Sequence, residues 1–391
     1  MSVAPISRRV ALRHWMLTGL LACVLSGCPA SPPTVAPPAA PGTPTTPALT
    51  PTTSTRPVKR VIMLTNGDDP FWDAMRRGME KAQEDFKLGD VGLKAELDKG
   101  DFSENAQIDK LKQYASQSDV AAVAISSVDA DNEAIAEAMR ELRKKGVEVL
   151  CIDSDMTRDF KDTRFAYLGT NNLVGGGELG KCMKGLLPEG KYATFVGLKD
   201  VQNAIERIGG VQVGAGDKFV SVESLGDKGD QNQAQENVKT ALNNHADLNC
   251  LVGIWAYNAH AIVQVAQDRG VREKTKIIAF DCAPAAVDDM EAGMIDALIV
   301  QNPYQMGYIG TQLMKALVEK DGATIKTLFP SYDPETGKFT EENGDIYTTE
   351  LRVVVPNEQS PLKPDMFDAG TKFFYFKDFK TWLAERKLIG S

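Results

Sequence analysis

Clusters of polar side chains punctuate this 391-residue chain, each directly after a short apolar run. Thr65-Asn66-Gly67-Asp68-Asp69 follows the run at 60–64, Ser126-Ser127 the run at 120–125, and Asp153-Ser154-Asp155 the run at 147–152. Trp255-Ala256-Tyr257-Asn258, Asp281 and Gln301-Asn302 stand in the same relation to later runs. Carboxylates accept hydrogen bonds, and amides both donate and accept. A Trp or Tyr beside them adds an apolar face with a polar edge. Two carboxylates in one cleft, here Asp153 and Asp281, could also work as an acid and a base. Histidine chemistry is scarce: only His14, His245 and His260 are present. A three-histidine zinc site is excluded, and a Ser-His-Asp triad has at most two candidate bases outside the leader.

Six cysteines reduce to four if Cys23 is cleaved away and Cys28 is modified: Cys151, Cys182, Cys250 and Cys282. None has CxxC spacing, so metal and thioredoxin-like chemistry are not expected. Three lie in apolar, strand-like segments, where buried free thiols are the natural state. Gly175-Gly176-Gly177-Glu178-Leu179-Gly180 fits G-x-G-x-x-G literally. Dinucleotide binding needs the first glycine in a tight strand-to-helix turn. Here Asn171-Asn172 take that turn, which places the glycines inside a helix as close-packing positions. No cofactor and no metal are expected.

The elements that position these clusters alternate short apolar strands with amphipathic helices. Strands are expected at 60–64, 92–97, 120–125, 147–152, 192–196, 219–224, 250–254, 277–280 and 297–300. Helical stripes lie between them, for example Phe71, Met75, Met79, Ala82 and Phe86, then Ile135, Met139 and Leu142. Several strands are apolar almost throughout, as in a parallel sheet covered on both faces. The pattern reads as an α/β, doubly wound architecture, and residues 58–391 are too many for one such sheet, so two Rossmann-like lobes are expected. Ligands of these folds sit at the carboxyl ends of strands, where the polar clusters collect.

Apolar residues make up 43 % and charged residues 25 % of the chain, an ordinary globular composition. The net charge is −9, and residues 1–27 hold Arg8, Arg9 and Arg13 but no acid. Removing those three leaves 41 basic residues against 53 acidic ones, a balance of −12. So acidic a domain is repelled by nucleic acid and by anionic lipid. Residues 1–27 read as a secretory signal: a basic start, an apolar run at 15–25, then small residues. That run is too short to span a hydrocarbon core of ~30 Å. Residues 28–57 contain ten of the 20 prolines and form a semi-rigid tether. At ~3.1 Å per residue it reaches at most roughly 90 Å.

The leader ends in Leu25-Ser26-Gly27-Cys28, which resembles a bacterial lipobox, and such a resemblance implies that Cys28 becomes a lipid-bearing first residue. Ser7-Arg8-Arg9-Val10-Ala11-Leu12-Arg13 also resembles a twin-arginine export signal, beside the plainer reading of a basic n-region. The folded part resembles the type 1 periplasmic binding proteins of the ribose/galactose-binding group. The resemblance rests on Asp69-Pro70-Phe71-Trp72, Val149-Leu150-Cys151-Ile152-Asp153, Glu206-Arg207-Ile208-Gly209-Gly210, Phe280-Asp281 and Val300-Gln301-Asn302-Pro303, in order over 60–328. It implies two lobes joined by crossing segments near residues 170, 302 and 330 and closing over a ligand. The expected lobes are 58–170 with 302–329, and 171–301 with 330–391, where 331–345 is an added surface loop and 357–391 an extension. Carried over, the resemblance makes Asp69, Phe71, Trp72, Ser126 and Asp153 ligand contacts from the first lobe. From the second come Arg207, Trp255, Tyr257, Asn258, Phe280 and Asp281, with Gln301 at a crossing. Ribose binders of the group typically carry Asn at the place of Asp69 and Arg after the aspartate at 153. Here Asp69 and Ser154-Asp155 weigh against ribose itself, not against the class.

These side chains suit a sugar, whose hydroxyls donate and accept around an apolar C–H face. Each satisfied bond adds about 0.5–1.5 kcal/mol, and six or more reach the ~8 kcal/mol of micromolar binding. The resemblance implies a monomeric, lipid-anchored, extracytoplasmic receptor with no catalysis of its own, handing a sugar to the membrane permease of an ABC importer. Plainer roles stand beside these. Phe71 and Phe280 fit core stripes, Asp69 could only cap the helix that follows, Asp153 and Asp281 could only form turns, and Arg207 could pair with Glu206 or Asp200. Other functions are a sensory or chemotaxis receptor, a binder of a cyclitol or nucleoside, and an extracytoplasmic glycoside hydrolase.

Overall fold

A computed structural model describes residues 57–391. The leader, Cys28 and all of the tether before Pro57 lie outside the described residues. In the first lobe the chain runs β1 (Lys59–Leu64), α1 (Phe71–Asp85), β2 (Leu93–Asp98), α2 (Glu104–Ala115), β3 (Val120–Ile125), α3 (Glu133–Lys144), β4 (Glu148–Ile152) and β5 (Tyr167–Gly169). All six residues of β3 are buried, the mark of a strand covered by helices on both faces. Helix α3 shows why such segments coil: Ile135, Ala136, Met139 and Leu142 share its buried face. Its first turn is satisfied by Asn132 Oδ1, which accepts from the Ala134 and Ile135 N–H groups at 3.0 and 3.1 Å.

The second lobe repeats the scheme with α4 (Asn172–Leu186), β6 (Gly190–Val196), α5 (Gln202–Ala215), β7 (Phe219–Gly226), α6 (Gln231–Asn244), β8 (Cys250–Gly253), α7 (Asn258–Asp268), β9 (Lys276–Phe280), α8 (Pro284–Glu291) and β10 (Ala297–Val300). The chain then returns to the first lobe as α9 (Pro303–Glu319), α10 (Gly322–Leu328), a hairpin of β11 (Tyr332–Asp333) and β12 (Lys338–Phe339), and β13 (Ile346–Thr348). It ends in the second lobe with β14 (Leu351–Val355), β15 (Thr371–Tyr375) and α11 (Phe376–Glu385).

The first sheet has the order β13-β5-β4-β3-β1-β2 and the second β15-β14-β10-β9-β8-β6-β7. Pairing is parallel throughout both except for β10 with β14. The first five strands of each lobe therefore follow one order, 2-1-3-4-5, so β4 and β9 are topological equivalents. Asp153 after β4 and Asp281 after β9 repeat one another in conformation as well, with φ of 63° and 65°.

The third crossing departs from expectation. It lies between β13 and β14, at residues 349–350, and not near residue 330. Residues 330–348 belong to the first lobe because Phe165, Phe329, Tyr332 and Phe339 pack ring against ring at 5.2–6.5 Å, and β13 pairs with β5. The segment 331–345 is thus a hairpin anchored in the first lobe. Asp345 fastens its end through Arg158 at 2.9 Å and Arg164 at 2.8 Å. The three crossings lie side by side. Thr349 N–H donates to the Gly169 carbonyl at 2.7 Å, and Thr170 Oγ1 to Gln301 Oε1 at 2.8 Å. Cys151, Cys182, Cys250 and Cys282 are buried free thiols.

Candidate functional site

A cleft of about 380 Å³, open space at its mouth included, lies between the carboxyl ends of the two sheets. Nine expected residues line it: Asp69, Phe71, Trp72 and Asp153 from the first lobe, Arg207, Trp255, Tyr257 and Asp281 from the second, and Gln301 at the crossing. Asn66, Phe102, Asn203 and Ala256 complete the wall.

The start of α1 places three of these. Asp69 Oδ1 accepts from Phe71 N–H at 2.8 Å, so the carboxylate steadies the first turn and faces the cleft at once. The Phe71 and Trp72 rings meet edge to face at 4.9 Å. Both deeper carboxylates hang from left-handed turns, a strained conformation that Asp tolerates better than most residues. Asp153 Oδ2 accepts from Ser126 Oγ at 2.9 Å and from Asn203 Nδ2, across the cleft, at 3.3 Å. Asp281 accepts from the Gln301 N–H at 3.3 Å and from Gln301 Nε2 at 2.9 Å.

Arg207 is the cation among them and is 1 % exposed. Its Nε donates to Asn172 Oδ1 at 3.0 Å and its Nη1 to the Ile254 carbonyl at 3.1 Å, while Asp281 Oδ2 stands 3.9 Å from Nη1. Its Nη2 is buried with no partner. The guanidinium lies 3.7 Å over the Phe280 ring. A side chain at Gly175 would put its Cβ 2.7 Å from that ring, so the glycine makes room for the stack. The glycines of α4 are the close-packing positions expected, and Gly176 lies against the Arg207 carbonyl in the same way.

Burial raises the Asp69 and Asp153 carboxyls above their ordinary range, with Arg207 opposing the rise at Asp153. Asp281, ordinarily near 3.8, is pushed up to about 7 by burial, against the pull of Arg207 and Gln301. The cleft therefore presents desolvated acceptors around one desolvated donor.

Aromatic rings form the remaining wall. Trp255 stacks on Phe102 of the opposite lobe, with ring centroids 6.0 Å apart. Trp255 Nε1 donates to Asn203 Oδ1 at 3.1 Å, so Asn203 ties the indole to Asp153. Tyr257 donates its hydroxyl hydrogen to Asp227.

Three expected contacts stand behind the wall instead of in it. Ser126 orients Asp153, and Phe280 lies beneath Arg207. Asn258 accepts from Trp255 N–H at 3.1 Å and donates to Asp227 at 3.0 Å, which fixes the Trp255 turn. Each is fully buried, and none lines the cleft. Of the residues that sequence reasoning did not single out, Asn203 had a signal: it precedes Arg207 by four residues on one helix face. Asn66 lay within the first polar cluster. Phe102 follows β2, whose polar end Lys99-Gly100-Asp101 marks a further strand terminus at the cleft.

Two lobes of repeated topology around a desolvated polar and aromatic cleft define a solute-binding protein of the hinged, two-lobed class. The chain belongs to the periplasmic binding protein domain family, whose model matches residues 60–322. The homologues found are binding proteins of transporters and not enzymes, which speaks against the hydrolase alternative. The chain is 23 % identical over 205 residues to a xylose/arabinose-binding protein of Sulfolobus acidocaldarius, a match covering 51 % of this chain and 49 % of that one. It thus spans about half the length of that relative. Among solved structures, it resembles an ABC transporter solute-binding protein of Burkholderia graminis in complex with D-arabinose. The TM-score is 0.65 at 23 % identity, covering 76 % of this chain and 96 % of that one. A solute-binding protein of Agrobacterium vitis with bound D-fucose gives a TM-score of 0.66 at 21 % identity, with coverage of 78 % and 98 %. These likenesses establish the fold. The family implies an extracytoplasmic location.

Proposed function

We propose that the chain is a lipid-anchored receptor that captures one small sugar between its lobes and delivers it to the permease of an ABC importer. The observation that carries this reading is the unpartnered, buried Nη2 of Arg207 beside the raised carboxyls of Asp153 and Asp281. A buried donor left without a partner costs about 1–3 kcal/mol, more for a charged group, and a ligand hydroxyl removes that cost. Sugar hydroxyls both donate and accept, so one molecule can satisfy the donor and the acceptors together. Trp72, Trp255, Tyr257 and Phe102 offer apolar cover for the C–H face. The bound sugars named for the structural neighbours support the same ligand class.

The lipobox-like Leu25-Ser26-Gly27-Cys28 and the proline-rich tether support anchoring and stand-off from the membrane. The receptor acts as a monomer, since closure of its own two lobes completes the cleft. Thermal unfolding against a panel of monosaccharides tests the reading. One or a few are expected to raise the melting temperature with concentration, by a stabilisation of about 2.7 kcal/mol at a hundredfold excess over Kd. A panel that leaves it unmoved, while a cyclitol or nucleoside raises it, would reassign the ligand. Replacing Cys28 with Ala should move the chain from the membrane fraction to the soluble one.

A further inference from the structure

We propose that residues 388–391 are a positioning element of the cleft, holding the Asp281 turn and the Gln301 crossing in place. The proposal rests on the reading of the cleft as the ligand site. The segment lies outside the family-matched residues 60–322. Ser391, 2 % exposed, pairs in both directions with Cys282, the residue after Asp281. Cys282 N–H donates to the Ser391 main-chain oxygen at 2.6 Å, and Ser391 N–H donates to the Cys282 carbonyl at 2.8 Å. Ser391 Oγ also donates to the Gln301 carbonyl at 3.3 Å. One residue thus touches the backbone on either side of the hydrogen bond that joins Gln301 to Asp281.

The approach is close enough to require glycine before it: a Cβ at Gly390 would lie 2.7 Å from the Cys282 carbonyl oxygen and 2.8 Å from Pro284 N. Leu388 anchors the segment in the apolar cluster that holds Phe376, Phe379 and Leu383 of α11 together with Cys282. Helix α11 reaches the same crossing by a second route. Its Trp382 ring lies 3.8 Å from the Arg352 guanidinium, whose Nη1 donates to the Gln301 carbonyl at 3.4 Å. A left-handed aspartate persists only where its surroundings over-determine it, and this segment supplies part of that constraint.

Deleting Gly390 and Ser391 tests the assignment by two readouts. In the ligand-free protein, amide hydrogen exchange at Asp281, Cys282 and Gln301 is expected to quicken, with the rest of the second lobe unchanged. Affinity for the monosaccharide that raises the melting temperature most is expected to fall roughly tenfold, the scale of one or two hydrogen bonds. Asp281→Asn should cost less in the shortened chain than in the full one, because both act on the same contact. Where the deletion prevents folding, Gly390→Val in the full chain supplies the same readouts. Unchanged exchange at those three amides overturns the proposal, as does quickening spread over the whole lobe or affinity losses that simply add. If no monosaccharide binds the full chain, the ligand reading fails, and the exchange pattern still decides the positioning role.

Discussion

Arg207 owes its place to what surrounds it: a ring below, a side-chain amide and a carbonyl at two of its nitrogens, and two aspartates within its field. Removing a partner from such a set leaves the others buried and uncompensated. Asp281→Ala is therefore expected to weaken ligand binding by about 1.5–3 kcal/mol, roughly ten- to a hundredfold by titration calorimetry. The same residue sets a pH dependence. Its carboxyl lies near 3.8 when exposed and is pushed up to about 7 in the fold, so the folded state holds the proton more tightly. The resulting stability is fully present below about pH 4 and is lost as pH rises through about 7. Asp281→Asn, which cannot ionise, should flatten that decline in melting temperature between those limits. Asp153, Asp281 and Trp255 were legible in the sequence because each follows an apolar strand closely, and Asp69 because it closes the polar cluster after β1. For Phe102 the polar end of β2 marks the loop, but a loop phenylalanine has no periodicity that singles it out within it. Ser126, Asn258 and Phe280 share the strand-end position, and sequence cannot separate a side chain that faces the cleft from one that braces its neighbour.

Helices α4 and α5 cross closely enough that glycines on each meet the other's backbone. A Cβ at Gly176 would lie 2.1 Å from the Arg207 carbonyl oxygen, whereas one at Gly177 meets nothing within 4 Å. Gly176→Ala is expected to cost about 1–3 kcal/mol in denaturant unfolding and to weaken binding by shifting Arg207. Gly177→Ala should be neutral, or stabilising by up to about 1 kcal/mol, through helix propensity alone. Equal effects at the two positions would remove the glycines' packing role. All nine expected strands formed, with ends displaced by at most two residues, because each is an apolar run bounded by polar turns. Of those not foreseen, β5 has three residues, β11, β12 and β13 are short, and β15 carries Lys372 amid partly exposed aromatics, whereas β14, fully buried along Leu351–Val355, carries the apolar signature in spite of Arg352. The third crossing is hidden from the sequence for a related reason. The aromatic residues that hold 330–348 to the first lobe are far from Phe165 in sequence, and only the fold brings them together.

Residues 57–391 form two copies of one strand order joined by three adjacent crossings, and the cleft exists only where the copies face each other. Contacts already bridge it: Phe102 on Trp255, Asn203 on Asp153, and Ala130 N–H on the Asp200 carbonyl at 3.4 Å. A ligand that adds bonds to both lobes favours this closed arrangement over an open one. Small-angle scattering should accordingly show a smaller radius of gyration when the sugar is added. Phe102→Ala should weaken affinity severalfold, at the lower end of what an aromatic contact contributes. The most direct test is a crystal structure with the monosaccharide that stabilises the chain most. The sugar should lie between the lobes, with a hydroxyl on Arg207 Nη2, others on Asp153 and Asp281, and a ring face against Trp255 or Phe102. A sugar bound elsewhere, or a cleft filled by the protein's own side chains, would contradict the account.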